Sequence, residues 1–177
     1  MPIKLSDRLP ADLPDEVREA LRTYLKEASG IFGETLEGVI LYGSAARGEF
    51  FPGRSNLNLL FLVAQHDRAL LQRYAKIHRR WSSEKVVVPL FHTEREIQAS
   101  HTLFPLEYLE IQEHHVLLMG HDPFPALRVD RTYLAVQCGR EIAGNLMRLR
   151  QRFVEGSGTS EALAILLPLS LTTLLPA

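Results

Sequence analysis

The sequence predicts an α/β (α+β) fold: a small mixed sheet with flanking helices, followed by a C-terminal helical region. Three observations support this fold class. An amphipathic helical pattern opens the chain, short apolar segments of strand length then alternate with helical segments, and a long helical pattern begins near residue 130. Strands that alternate with helices are typical of α/β and α+β domains. We therefore expect a first domain over residues 1–125 and a helical region over residues 126–177.

The first helix and the first strand are clearly patterned. Apolar residues at helical spacing form one continuous face over residues 17–28, and Gly30 is the expected end of this helix. An apolar strand over residues 38–42 runs directly into Gly43 and Ser44, which we expect to open a second helix.

The next elements continue the alternation. A loop rich in Gly and Pro over residues 50–55 leads to a second strand over residues 56–63. An apolar stripe predicts a helix over residues 67–81, and a short β-branched segment predicts a third strand over residues 86–91. Residues 106–119 fit a helix and a strand equally well, so both remain open there.

Two capping patterns and one break shape the second half of the chain. Thr93 with Glu96 forms a capping box, which predicts the start of a short helix. Residues 120–125 contain Gly and Pro and form a break. A long helix is then expected from about residue 130 to 154, and Thr159 or Ser160 is expected to cap a final apolar helix.

The final run, residues 162–177, is apolar but is not a membrane span. It is shorter than the ~20 residues that a spanning helix needs, and Pro168 interrupts it. We expect a buried helix pair or a partner surface instead. Because the chain stops inside this run, we expect either a fragment of a longer chain or an end that packs on another subunit.

The composition is that of an ordinary globular protein. The 177 residues carry 20 Lys+Arg and 21 Asp+Glu, a net charge of −1, and 46% of them are hydrophobic. This balance lacks the electrostatic signature of a nonspecific nucleic-acid binder, so we do not expect a nucleic-acid partner. Cys138 is the single cysteine, which excludes an internal disulfide and fits a cytoplasmic location.

The most informative segment is residues 39–63. Gly43 permits close approach of a ligand to the backbone, and the Ser44 hydroxyl with the N–H groups that follow can hold anionic oxygens. A Gly-Ser pair alone also occurs in tight turns for reasons of geometry. Asn56 and Asn58 are two residues apart on the expected strand, so their side chains share one face. Asn is disfavoured in strands, and a turn start explains Asn56 better than Asn58.

This combination resembles the signature of the nucleotidyltransferase superfamily related to DNA polymerase β, particularly its minimal and kanamycin-type members. That signature is an apolar strand, Gly-Ser, a spacer, and then Asp-apolar-Asp on the next strand. Gly43 and Ser44 match the first part, and Asn56-Leu57-Asn58 stands at the second. The expected order of helices and strands also agrees with that fold. The resemblance implies ATP with Mg²⁺ as cofactors and transfer of AMP to a hydroxyl of a small molecule or a protein.

The two asparagines are where this chain departs from the family pattern. The resemblance implies that the matching aspartates hold the divalent metal ions that bridge the phosphates and activate the attacking hydroxyl. Mg²⁺ usually relies on one or two carboxylates, so Asn56 and Asn58 predict weak metal binding and lost or impaired catalysis. We therefore assign no metal ligand. The residues expected to bind nucleotide are Gly43, Ser44, Arg47 and Arg54.

Two other functions remain open. The protein could be an active nucleotidyltransferase, or a non-catalytic, antitoxin-like interaction scaffold whose helices from Asp130 onward contact a homo-oligomer or a protein partner. Arg47 and Arg54 could also be ordinary solvated loop arginines. The long helix has a basic end, which stabilises a helix C-terminus by itself and also suits an RNA or partner surface. The residues of this end are Arg140, Arg148, Arg150 and Arg152.

Overall fold

The structure is a computed structural model that describes residues 9–81 and 86–172. The described residues form two units. The first contains those up to Ser100 together with Ile111–Leu127, and the second contains His101–Glu110 and those from Arg128 onward. The predicted fold class is confirmed: the first unit holds a mixed sheet with helices, and the C-terminal residues are helical.

The described residues form six α-helices and four β-strands. They are α1 (Asp15–Phe32), β1 (Leu36–Tyr42), β2 (Asn58–Val63), α2 (Arg68–Trp81), β3 (Leu90–His92), α3 (Glu94–Ser100), α4 (Pro105–Glu113), β4 (His115–Gly120), α5 (Arg131–Glu155) and α6 (Ser160–Thr172). The sheet order is β3-β2-β1-β4, with β1 antiparallel to both β2 and β4 and with β2 parallel to β3. The C-terminal end of β1 therefore lies beside the first residues of β2 and β4.

Helices α1 and α2 supply the core on one face of the sheet. The Phe61 ring of β2 lies 6.3 Å from Tyr24, 5.8 Å from Phe32 and 5.9 Å from Tyr74 between ring centroids. The hydroxyls of Tyr24 and Tyr74 form a buried hydrogen bond with each other. Burial raises the pKa of Tyr74 to about 12 and raises that of Tyr24 as well, so both phenols are neutral in this core.

The helix boundaries depend on local capping groups. The prediction that Gly30 ends α1 is wrong. The apolar face of the helix continues to Phe32, whose ring lies in the core. Gly33 ends it instead, at a φ of 56°, a left-handed conformation that favours glycine. The capping box of α3 is confirmed: Glu96 N–H donates to Thr93 Oγ1 at 3.2 Å, and Thr93 N–H donates to Glu96 Oε2 at 2.8 Å.

The third strand is shorter than the prediction over residues 86–91. Val86 forms an isolated bridge with Leu57, and β3 begins only at Leu90. Pro89 lies between them and has no N–H to donate to a strand ladder. The undecided stretch 106–119 contains both element types, because α4 is followed by β4.

The second unit contains the helical pair α5 and α6. Asp130 caps α5 by accepting a hydrogen bond from Thr132 N–H at 2.6 Å. The buried Asn145 of α5 donates to the carbonyl of Ser170 at 2.6 Å and accepts from the Ser170 hydroxyl, which fixes the register of α6 on α5. Within residues 9–81 and 86–172, no helix is both long enough and apolar enough to cross a membrane.

Candidate functional site

A tight turn follows β1. Gly43 adopts a φ of 75°, which favours glycine, and its carbonyl accepts hydrogen bonds from Ala46 N–H at 3.0 Å and from Arg47 N–H at 3.1 Å. The prediction that Ser44 opens a helix is wrong. The chain makes a single turn and leaves the helical conformation at Gly48, which has a φ of 76°. Any ligand at this turn would therefore be held by individual N–H groups, without the dipole of a helix.

This turn contains donors that the chain does not use itself. The N–H groups of Ser44 and Ala45 and the hydroxyl of Ser44 make no hydrogen bond within residues 9–81 and 86–172. Ala45 is buried and Ser44 is half-buried. A buried N–H group without a partner costs free energy, and successive N–H groups in a turn form a concavity suited to an anion. An anionic oxygen at this position would satisfy these donors.

The two candidate arginines differ in their surroundings. Arg47 Nε donates to Glu49 Oε2 at 3.0 Å, and the Arg47 side chain is 18% exposed against 60% for Glu49. An anionic ligand at the turn would compete with Glu49 for this guanidinium. Arg54 is exposed in a loop that is closed by hydrogen bonds from the N–H groups of Arg54 and Ser55 to the carbonyl of Phe51.

Asn56 and Asn58 lie at the start of β2, but the prediction that both are strand residues is wrong. The strand begins at Asn58, and Asn56 precedes the isolated bridge at Leu57. Along this segment Asn56 is exposed, Leu57 is buried, Asn58 is half-buried and Leu59 is buried. This alternation places both amides on the side opposite the two leucines. Neither amide forms a hydrogen bond with the part of the chain that the structure describes.

A row of three side chains crosses the sheet next to the turn. Tyr42 is paired with Asn58 on one side and with His115 on the other. Directly opposed residues of antiparallel strands present their side chains on the same face, so these three share a face. Leu41 and Leu59 belong to the core with α1 and α2, so the row lies on the other face. Neighbouring strands are ~4.8 Å apart, which separates Asn58 from His115 by about 10 Å.

His115 was not selected by the sequence pattern. Its Nε2 lies 2.9 Å from Asp122 Oδ2, and its ring packs 5.2 Å from Phe124. Its Nδ1 is buried without a hydrogen-bond partner among the described residues. Asp122 also accepts from Phe124 N–H at 3.0 Å, so both the carboxylate and the imidazole have fixed orientations. Residues 106–119 gave no single element type, so the placement of β4 beside β1 had no signal in the sequence.

The side chains at and beside the row offer little charge to a metal ion. The side chains at positions 56 and 58 supply neutral amide oxygens, whereas Mg²⁺ prefers carboxylate oxygens. In the described ranges, no group of three or more His, Cys, Asp or Glu side chains is arranged to hold a metal ion. The unused donors of the turn are able to hydrogen-bond to a phosphate, whereas positions 56 and 58 offer a metal ion little charge.

A second polar cluster lies at the other end of β2, beside a cavity of about 470 Å³. His66 Nε2 lies 2.7 Å from Glu96 Oε2, the same oxygen that accepts from Thr93 N–H. The Thr93 N–H, with a smaller contribution from the His66 contact, lowers the pKa of Glu96 to about 2. Burial lowers the pKa of the neighbouring His92. This cluster is the capping box of α3 together with His66, which contacts the Glu96 carboxylate of that box.

Comparison with known proteins does not assign a family. No protein-family model matches the chain, and no curated protein matches it. The resemblance described above therefore depends on the residues of 39–63 and on the order of the elements.

Proposed function

We propose that the first unit is a nucleotidyltransferase-like domain that binds the phosphates of a nucleotide at the turn 43–48 and whose transfer activity is lost or impaired. The observation that carries this proposal is a set of unused donors: the N–H groups of Ser44 and Ala45 and the Ser44 hydroxyl. They lie beside the row of side chains that contains Asn58. Gly-Ser at the end of a central strand, with a short polar strand start next to it, is the arrangement expected of that family.

Each residue has a defined task in this proposal. Phosphate oxygens accept hydrogen bonds from Ser44 and Ala45, and Arg47 turns from Glu49 toward the added negative charge. Arg54, exposed on the loop, extends the positive surface for a triphosphate. ATP is the expected nucleotide, and a cytoplasmic location fits the single free Cys138.

The proposed loss of catalysis follows from Asn56 and Asn58. When bound, Mg²⁺ would neutralise the phosphates and activate the acceptor hydroxyl. Amide oxygens can contact such an ion but bring no negative charge, so the ion would be held weakly. If the protein is active despite this, transfer of AMP from ATP to a hydroxyl acceptor is the expected reaction.

A second candidate function is a contact with a protein partner or a second copy through the C-terminal helices. It is supported by large apolar side chains that α5 and α6 leave exposed. The most exposed are Ile142, Met147 and Val154 on α5 and Ile165 and Leu171 on α6. The two candidates use different units of the chain and are compatible with each other.

Calorimetric titration with ATP tests the first candidate. We expect the wild type to bind ATP and Ser44→Ala to bind it at least about tenfold more weakly, since one hydrogen bond to a charged oxygen is lost. Ser29→Ala is the matched control, because among the described residues the Ser29 hydroxyl bonds only to the Lys26 carbonyl on α1. No heat of binding with wild type, or equal losses in the two variants, would reject the proposed site. Release of pyrophosphate by the wild type in the presence of Mg²⁺ would show that catalysis is retained.

A further inference from the structure

One face of α5 carries a regular stripe that no part of the described chain covers. Its seven residues are spaced alternately by three and four positions, and all seven are exposed. Such spacing places side chains along the line where one helix packs against another. We call these residues the α5 seam: Tyr133, Val136, Arg140, Ala143, Met147, Arg150 and Val154.

The apolar members of the α5 seam expose much of their surface. Tyr133 is 50% exposed, Val136 49%, Met147 62% and Val154 75%. The seam extends for about 32 Å along the helix axis, at ~1.5 Å per residue. Isolated exposed apolar residues need no explanation, but a stripe of this length, interrupted only by Arg140 and Arg150, is typical of a contact surface.

The charges of α5 indicate what kind of partner fits. The helix holds five arginines and two glutamates, a net charge of +3, although the whole chain has a net charge of −1. Arg140 and Arg150 lie within the seam itself, and neither has an ion-pair partner among the described residues. A second copy would bring another +3 against this helix, whereas an acidic helix would neutralise it.

The position of the two arginines also distinguishes this surface from that of a membrane-binding helix. In helices that lie on a membrane, the cations form a polar face and the apolar residues form another. Here Arg140 and Arg150 interrupt the apolar stripe. Acidic residues of a partner helix placed opposite them would be partly desolvated there and would make strong, specific ion pairs.

We propose that the α5 seam binds an amphipathic helix of a partner protein whose apolar contact face carries acidic residues opposite Arg140 and Arg150. This inference rests on the second candidate function and is independent of nucleotide binding. To that candidate function it adds three specific points: the surface that is used, the helical form of the partner, and the charge of the partner's contact face.

Two designed peptides of three heptads test this inference by fluorescence anisotropy on the full chain. Both have leucine and alanine along one face; one carries glutamates at the positions opposite Arg140 and Arg150, and the other carries lysines there. We expect the wild type to bind the glutamate peptide. The charge reversal Arg140→Glu with Arg150→Glu should weaken that binding by at least about tenfold and create binding of the lysine peptide.

The matched control is Arg131→Glu with Arg152→Glu, which changes the net charge equally on the opposite side of α5. It should change the affinity for the glutamate peptide by no more than about threefold, since exposed charges outside a contact are screened by salt. All of these substitutions are at exposed positions, and circular dichroism verifies that α5 remains helical.

Other outcomes would overturn the inference. These are no binding of the glutamate peptide, equal losses in the seam and control variants, or tighter binding to phosphatidylserine vesicles or to a single-stranded RNA oligonucleotide. Self-association without peptide binding, abolished by Leu167→Ser with Leu171→Ser on α6, would also reject it. That last result would leave the second candidate function standing, and the ATP titration tests the first candidate separately.

Discussion

Replacing Glu49 by Gln should raise the affinity for ATP while slightly lowering the stability of the fold. Glu49 accepts a hydrogen bond from Arg47 Nε at 3.0 Å and is the carboxylate nearest in sequence to the proposed phosphate turn. In the free protein it partly neutralises the arginine. In the nucleotide complex it would repel the phosphates and compete for the same guanidinium.

The size of the effect follows from the exposure of the pair. The Glu49 side chain is 60% exposed, so the ion pair itself contributes less than about 1 kcal/mol to stability, and the Gln oxygen can still accept from Arg47. Two unit charges roughly 6 Å apart at a solvated surface repel each other by about 1 kcal/mol. Removing that repulsion corresponds to an ATP affinity about fivefold higher.

Calorimetric titration with ATP and urea unfolding measure the two quantities on the same samples. Glu37→Gln is the matched control, because Glu37 is exposed near the other end of β1, about 17 Å along the strand and beyond the ~8 Å screening length. An unchanged or weaker ATP affinity in Glu49→Gln, or an equal gain in Glu37→Gln, would refute the proposed position of the phosphates.

Three further substitutions are expected to change stability. Gly48→Ala should destabilise the fold by about 1–2 kcal/mol in urea unfolding, because φ is 76° there and the new Cβ would lie 2.6 Å from Asp12 Oδ2. Gly30→Ala lies within a helix with open space around the new Cβ, so it should stabilise the fold by roughly 0.5–1 kcal/mol. A Gly48→Ala variant as stable as the wild type would exclude the turn conformation described above. Glu96 has a pKa of about 2, lowered chiefly by the Thr93 N–H, so its stabilising contribution is complete above its ordinary pKa of 4.5 and is lost as the pH falls toward 2. Since Glu96 is 42% exposed, Glu96→Gln should cost only about 1 kcal/mol at neutral pH and nothing near pH 2; a cost independent of pH would contradict this assignment.

The parts of the fold that were predicted correctly are those set by neighbouring residues. The amphipathic face of α1 and the capping box of Thr93 with Glu96 depend on side chains within one or two helical turns, and both formed as expected. The end of α1 was misplaced because a local glycine, Gly30, is tolerated where Phe32 has a site in the core. Tertiary packing decided that boundary.

The site could be predicted only in part from the sequence, because residues that lie side by side in it are distant from one another along the chain. The approach of Tyr42 to Asn58 follows from a predicted pair of consecutive strands. The approach of Tyr42 to His115 does not, since β4 is distant from β1 along the chain and residues 106–119 fit a helix and a strand equally well. The single turn after Ser44 was mistaken for a helix because Gly48 is a signal for a turn only once its positive φ is known.

The pattern of Asn56 and Asn58 remains the basis for proposing lost catalysis. Their amides lie on the face of the sheet that also presents Tyr42 and His115, and neither position has a carboxylate. If the phosphate turn is intact and only the charge for a metal ion is missing, restoring that charge should restore the dependence of binding on Mg²⁺. This expectation separates a missing metal site from a fold that never bound nucleotide.

The most direct test is therefore calorimetric titration of ATP into the wild type and into Asn56→Asp with Asn58→Asp, each with Mg²⁺ and with a chelator. We expect the wild type to bind ATP almost equally in both conditions. The double variant should bind ATP more weakly than wild type without metal, because two carboxylates repel the phosphates, and at least about tenfold more tightly when Mg²⁺ is added. Gln65→Glu with Gln72→Glu, which adds the same charge at exposed positions, should behave as wild type. A double variant with no greater dependence on Mg²⁺ than the wild type would contradict the assignment of Asn56 and Asn58 to a neutralised metal site.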